Sequence, residues 1–220
     1  SGVGYALCEK LLKEGFQIIG IARKVGRSAK FLGNSKFKFF ECDLNSQKSI
    51  EAFSQDLGTL RMQITHLINN ASTFSLSNFS DLSTTEVYRI LNTNIQGTIH
   101  LTKQLIDCPC GKLASIYNIL SVSALGGHEQ QACYSASKHA LKGFFDSLAQ
   151  EQLNKIDITN FYPGGINSEL WSAPDIKIES KKLDDFIPPE DVADLVYMRL
   201  HMPSSMVIKE IVFFPKNDWH

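Results

Sequence analysis

The 220-residue chain predicts an α/β domain built on a doubly wound parallel sheet. Three observations carry the prediction. Short apolar runs of strand character alternate with longer helical patterns along the whole chain. The connections between them are mostly short, as expected when parallel strands are joined by crossover helices that cover both sheet faces. No internal repeat, low-complexity tract or linker breaks the rhythm, so residues 1–220 read as a single domain.

Taken in order, residues 5–14 (YALCEKLLKE) place apolar positions at helical spacing and stop at Gly15. FQIIGIA, 16–22, is a short buried-strand run, and FKFF within 36–42 is another. A polar helix follows near 46–57, then the strand ITHLI at 64–68, which runs into Asn69-Asn70-Ala71. One long helix is predicted over 83–106, with Val87, Leu91, Ile95, Leu101 and Leu105 on its apolar positions. A strand at 113–120, a long helix at 132–153 and a strand at 156–161 come next. Pro188-Pro189-Glu190-Asp191 opens a helix to about Leu200, with proline where the first-turn N–H is spare. VIKEIVFF, 207–214, closes as a strand. The least patterned stretch, 167–187, is expected to act as a substrate lid.

Composition narrows the function. Lys plus Arg number 22 and Asp plus Glu 23, a net charge of −1, which argues against nucleic-acid or anionic-membrane partners. No apolar run approaches a transmembrane length. The five cysteines are sparse and show no paired CxxC spacings, so neither a disulfide framework nor a metal site is expected. A reducing, cytoplasmic setting fits that usage.

Four local patterns carry chemistry. Tyr134 and Lys138 stand at i and i+4 of a predicted helix and so share a face. An ammonium beside a phenol is expected to lower its pKa and make it a usable acid and base. Ser121 follows the strand 113–120, at a carboxyl end, where side chains face the ligand crevice of such sheets. Its hydroxyl would polarise a substrate carbonyl beside Tyr134. Asn94 is a modest helix former set in mid-helix. Ser1-Gly2-Val3-Gly4 opens the first helix, where glycines let backbone N–H groups approach a phosphate.

The order Gly-x-Gly, Asn-Asn-Ala, Asn94, Ser121, Tyr134-x-x-x-Lys138 and Pro163-Gly164 resembles the short-chain dehydrogenase/reductase family across the whole chain. The resemblance implies a Rossmann-type fold and hydride transfer between a nicotinamide cofactor and a carbonyl or alcohol substrate. It implies a catalytic tetrad: Tyr134 as acid/base, Ser121 on the substrate oxygen, Lys138 on the nicotinamide ribose and Asn94 anchoring a relay water. It also implies cofactor contacts at Ser1, Gly2, Val3, Gly4, Asp43, Leu44, Asn70, Ala71, Pro163, Gly164, Ile166 and Ser168, and a homodimer or homotetramer built partly on helices 83–106 and 132–153. His128 and Trp171 are candidate substrate contacts. At the end of the strand 16–22, Ala22 replaces the acid that would hold a ribose 2′-OH, and Arg23 follows, which predicts NADP in preference to NAD. The alternative is a dinucleotide-binding sensor or scaffold of the same fold that turns nothing over.

Four departures qualify the match. Only the last two glycines of the family's glycine-rich turn are present. The family's first strand, which precedes that turn, is missing from the sequence, and roughly ten or more residues before Ser1 are expected to supply it. The family's Asn-Asn-Ala-Gly reads Asn69-Asn70-Ala71-Ser72, and the ending Ile211-Val212-Phe213-Phe214-Pro215 lacks the VDGG of many acyl-carrier reductases.

Overall fold

The computed structural model describes residues 2–60, 63–109, 111–172, 183–203 and 205–217. These sort into two compact units: Ser1–Asp43 with Gly164–Met206 and Phe214–His220, and Leu44–Pro163 with Val207–Phe213.

The first unit contains helix α1 (Gly2–Lys13), strands β1 (Ile18–Ala22) and β2 (Phe37–Glu41), and helix α6 (Pro189–Leu200). β1 and β2 pair in parallel, Ile18 opposite Phe37 and Ala22 opposite Glu41. The Phe37 ring lies so close to Gly20 that a Cβ there would stand 3.1 Å from it. Tyr5, Phe31 and Phe37 stack in succession at 5.5 and 5.4 Å between centroids. α1 and α6 are pinned by Lys10, whose Nζ lies 3.2 Å from Glu14 and 3.0 Å from Asp194.

The second unit contains α2 (Gln47–Thr59), β3 (Ile64–Asn69), α3 (Thr84–Leu91), α4 (Thr98–Asp107), β4 (Gly111–Ile119), α5 (Ala132–Glu151), β5 (Asp157–Pro163) and β6 (Glu210–Phe213). Its four strands form one parallel sheet in the order β3-β4-β5-β6. Parallel strands put all carboxyl ends at one edge, which brings the loops after β3 and β4 together. Serines start two helices: Ser46 Oγ accepts from Ser49 N–H, and Ser83 Oγ accepts from Glu86 N–H. Ile116, Phe145 and Phe161 are fully buried and form the centre of the apolar packing.

A polar ladder crosses this sheet. Asn69, Asn118 and Asn160 stand in register on adjacent strands, opposite Glu210 on the fourth. Asn69 Nδ2 donates to Asn118 Oδ1 and Asn118 Nδ2 to Asn160 Oδ1, each at 2.9 Å. The chain continues to Asp146 on α5 at 3.4 Å. Beyond it Lys142 pairs with Asp146 at 2.6 Å and Glu210 at 3.0 Å.

Two expectations are corrected. The single helix over 83–106 is interrupted: α3 ends at Leu91, a π turn occupies Asn92–Gly97, and α4 resumes at Thr98. Asn94 at the centre of the turn turns its amide to backbone outside the helix, and Gly97 admits the neighbouring chain, as described below. Cys108, capping α4, is disulfide-bonded, whereas Cys8, Cys42 and Cys133 stand outside any disulfide. Cys110 lies outside the described residues.

Candidate active site

The four residues of the expected tetrad meet at the carboxyl edge of the second unit's sheet. Tyr134 and Lys138 come from the first turns of α5, one helical step apart. Ser121 follows β4 and caps the short turn Val122–Ala124. Its Oγ accepts from Ser123 N–H at 3.1 Å, so its own proton remains available to an acceptor in the site. Asn94 is buried in the π turn.

Every polar atom of the Asn94 side chain is committed. Its Oδ1 accepts from Thr73 N–H at 2.7 Å, and its Nδ2 donates to Thr73 O at 2.9 Å and to Ser137 Oγ at 3.0 Å. Ser137 Oγ in turn donates to Tyr134 O at 2.7 Å. One amide therefore clamps the loop after β3 to the helix that carries Tyr134. The π turn is what lets this amide reach out of its own helix, a use such insertions often serve. Gly97 closes the turn, and a Cβ there would lie 2.3 Å from Leu44 O.

The electrostatics differ from the expectation for Tyr134. Burial pushes its phenol up to about 12, and hydrogen bonding from Ser121 and then Ser72 only partly offsets this. Lys138 does not lower it. Its Nζ turns to Ile119 O at 3.4 Å and stands 5.4 Å from the Tyr134 ring centroid. Burial also brings the lysine down to about 8, so desolvation opposes charge on both groups.

Sequence reasoning missed three contributors. Phe74 packs edge-on against Tyr134 at 4.8 Å between ring centroids. Ser137 completes the Asn94 clamp. Ser72 lies beside the Tyr134 phenol, its Oγ buried. A small hydroxyl residue one place before the lysine was the available signal for Ser137, and the break in the family motif was the signal for Ser72. A small cavity beside Tyr134 is lined by Ser75, Ser77, Phe79, Gln131 and Cys133 among others.

Among the remaining candidates of this unit, Asn70 and Ala71 occupy the loop after β3. Leu44 lies against the π turn, and Pro163 ends β5. His128 is exposed, its carbonyl accepting from Gln131 N–H at 3.2 Å.

The first unit holds the other candidates. α1 begins at Gly2, with φ +50°, so Val3 and Gly4 lie in a first turn whose N–H groups a helix leaves unpaired. A Cβ on Gly2 would stand 3.2 Å from Ser168 Cβ. A bare, glycine-lined helix start of this kind fits a phosphate-bearing cofactor. Ser1 lies outside the described residues, as do 173–182 of the expected lid. Arg23 is exposed at the end of β1 and makes no ion pair among the described residues, whereas Arg27 is held by Glu169 at 3.1 Å and over the Tyr5 ring at 4.5 Å. Asp43 follows the second strand. A Cβ on Gly164 would stand 2.8 Å from the Pro215 ring. Ile166 bridges to Ile187, and Trp171 donates its indole N–H to Ile166 O at 2.8 Å and packs 5.3 Å from Phe186. Among the described residues no cluster of His, Cys, Asp or Glu is placed to hold a metal, and no helix is long and apolar enough to cross a membrane.

The short chain dehydrogenase family model matches residues 1–177. A 3-oxoacyl-[acyl-carrier-protein] reductase of Buchnera aphidicola is 32% identical over 205 residues, covering 89% of this chain and 84% of that protein. It is of the class that lacks support from the chain's ending, so overall similarity and the terminal motif point differently. An alcohol dehydrogenase from the archaeon Thermococcus sibiricus, complexed with 5-hydroxy-NADP, superimposes with a TM-score of 0.86 at 18% identity, covering 99% of this chain and 93% of that one. A 4-hydroxyisoleucine dehydrogenase mutant with NADH and succinate gives 0.88 at 22% identity, covering 98% and 93%. At such identities the two structures speak for the α/β Rossmann-like fold. With the family model spanning most of its length, the chain belongs to the short chain dehydrogenase family.

Proposed function

We propose that this oxidoreductase acts as a carbonyl reductase that uses NADPH, with the reverse oxidation of an alcohol by NADP+. The observation that supports it most is the convergence of Ser121 and Tyr134 hydroxyls, with Lys138 one helical turn behind, at the carboxyl edge of a parallel sheet. When bound, the nicotinamide supplies or accepts the hydride. The chain's own residues handle the oxygen and its proton. Ser121 donates to the substrate oxygen, and Tyr134 Oη delivers the proton that oxygen needs as the carbonyl becomes an alcohol. With its phenol held at about 12, Tyr134 carries that proton throughout the neutral range. Lys138 offers its amine to the nicotinamide ribose, and Asn94 holds the site loop, the second lone pair of its Oδ1 being left to anchor the relay water. Gly2, Val3 and Gly4 take the cofactor phosphates, and Arg23 takes the 2′-phosphate of NADP. Asp43, Leu44, Asn70, Ala71, Pro163, Gly164, Ile166 and Ser168 complete the cofactor contacts. A homodimer or homotetramer in the cytoplasm is the setting this reading assigns.

The test is NADPH consumption over aldehydes, ketones, diketones, pterins and ethyl acetoacetate, repeated with Tyr134→Phe. The variant keeps the ring packed against Phe74 and removes only the proton donor. It should lower kcat at least ~100-fold and leave NADPH affinity within a few-fold. Near-normal kcat in the variant would remove Tyr134 from the chemistry. NADPH binding with no turnover on any compound would instead identify a sensor.

A further inference from the structure

Ser72 sits where three observations meet. Its neighbour Thr73 is gripped at both backbone atoms by Asn94, at 2.7 and 2.9 Å, so the position of the loop is fixed. Two residues on, Phe74 stacks edge-on against the Tyr134 ring, so the loop wraps the tyrosine. Between them, Ser72 Oγ is buried and has no partner at full hydrogen-bonding geometry among the described residues. A buried hydroxyl left so is costly unless something in the working site takes its proton. The group near it is the Tyr134 phenol.

We propose that Ser72 is a positioning residue for the reaction, whose Oγ–H donates to the Tyr134 oxygen once that oxygen has given up its proton. The proposal rests on Tyr134 being the acid/base. A phenol that keeps its proton needs few donors; a tyrosinate accepts two or three. Ser121 is one donor, since its Oγ already accepts from Ser123 N–H and turns its proton into the site. When Ser121 is occupied with a substrate oxygen, Ser72 is the hydroxyl left for Tyr134. The two serines thus divide the work, one for the substrate and one for the tyrosinate. The charged group facing Tyr134 is Lys138 from its own helix; the loop after β3 contributes Ser72 and Phe74, and the turn after β4 contributes Ser121, none of which titrates near neutrality. Hydrogen bonding from Ser72 lowers the phenol's pKa, in the direction the proposal requires.

The experiment measures kcat against pH for ethyl acetoacetate reduction by NADPH, and for oxidation of the product alcohol by NADP+, in wild type, Ser72→Ala, Ser72→Gly and Ser72→Thr. Loss of the donor raises the proton affinity of Tyr134. The falling limb of reduction and the rising limb of oxidation should therefore both move to higher pH, by roughly one unit. Oxidation at neutral pH should slow roughly tenfold. Ser72→Thr should return both limbs, and NADPH affinity should stay within threefold in all variants, which also shows that they fold. Unmoved limbs in Ser72→Ala and Ser72→Gly would overturn the proposal. So would tighter NADPH binding at unchanged kcat, which would make the side chain a mere obstacle to the cofactor. Full activity in Tyr134→Phe is a separate failure, because it removes the acid/base itself.

Discussion

Tyr134 and Lys138 show what a motif conveys and what it omits. Their four-residue spacing, with Ser121 and Asn94 upstream, was enough to bring all four to one sheet edge. Spacing says nothing of solvent, and burial reverses the expected pull on the phenol by raising it to about 12. The proposed preference for NADP also belongs at this scale. Arg23 is exposed and pairs with no carboxylate among the described residues, while Arg27 is committed to Glu169 and Tyr5. A charge-assisted bond from a guanidinium to a 2′-phosphate favours NADPH by roughly tenfold to hundredfold. Ala22→Asp with Arg23→Ile should reverse that preference, by adding an acceptor for a 2′-OH and removing the phosphate partner. The kcat/KM ratio for NADPH over NADH, before and after the change, checks it. A wild-type ratio at or below one would reject the role of Arg23.

At the level of elements, the helix containing Asn94 is the instructive case. Its apolar positions repeat through the break, so periodicity reads one helix where there are two and a π turn. The cause of the break is tertiary: Asn94 is drawn to the backbone of Thr73, and Leu44 O occupies the space where a side chain at position 97 would go. Neither contact leaves a local signature in the sequence. Gly97→Ala should therefore force Leu44 or the turn to move, costing about 1–3 kcal/mol in urea denaturation. It should also lower kcat, because Asn94 holds the loop that carries Ser72. A variant with the wild-type urea midpoint would show that the turn tolerates the methyl group.

Across the whole molecule, the alternation of strands and helices was legible from end to end, because apolar runs and helical stripes are local. The pairing of the strands was not, and the structure settles it in part through buried amides. Asn118 is fully buried and bonded on both sides by the neighbouring strands. Asn118→Leu should strand the amides of Asn69 and Asn160, at a cost of about 2–4 kcal/mol. A urea midpoint equal to wild type would show that the ladder is dispensable.

The ladder also has a sense of travel. Each amide nitrogen donates to the next oxygen, from Asn69 through Asn118 and Asn160 to the carboxylate of Asp146. An ionised carboxylate can only accept, so the last member dictates which way every preceding amide must face. Lys142 pairs with that carboxylate at 2.6 Å and also reaches Glu210 on β6 at 3.0 Å. An ion pair on a helix thus sets the polarity of a row of dipoles running under the sheet to Asn69, one residue before the loop that leads to Ser72.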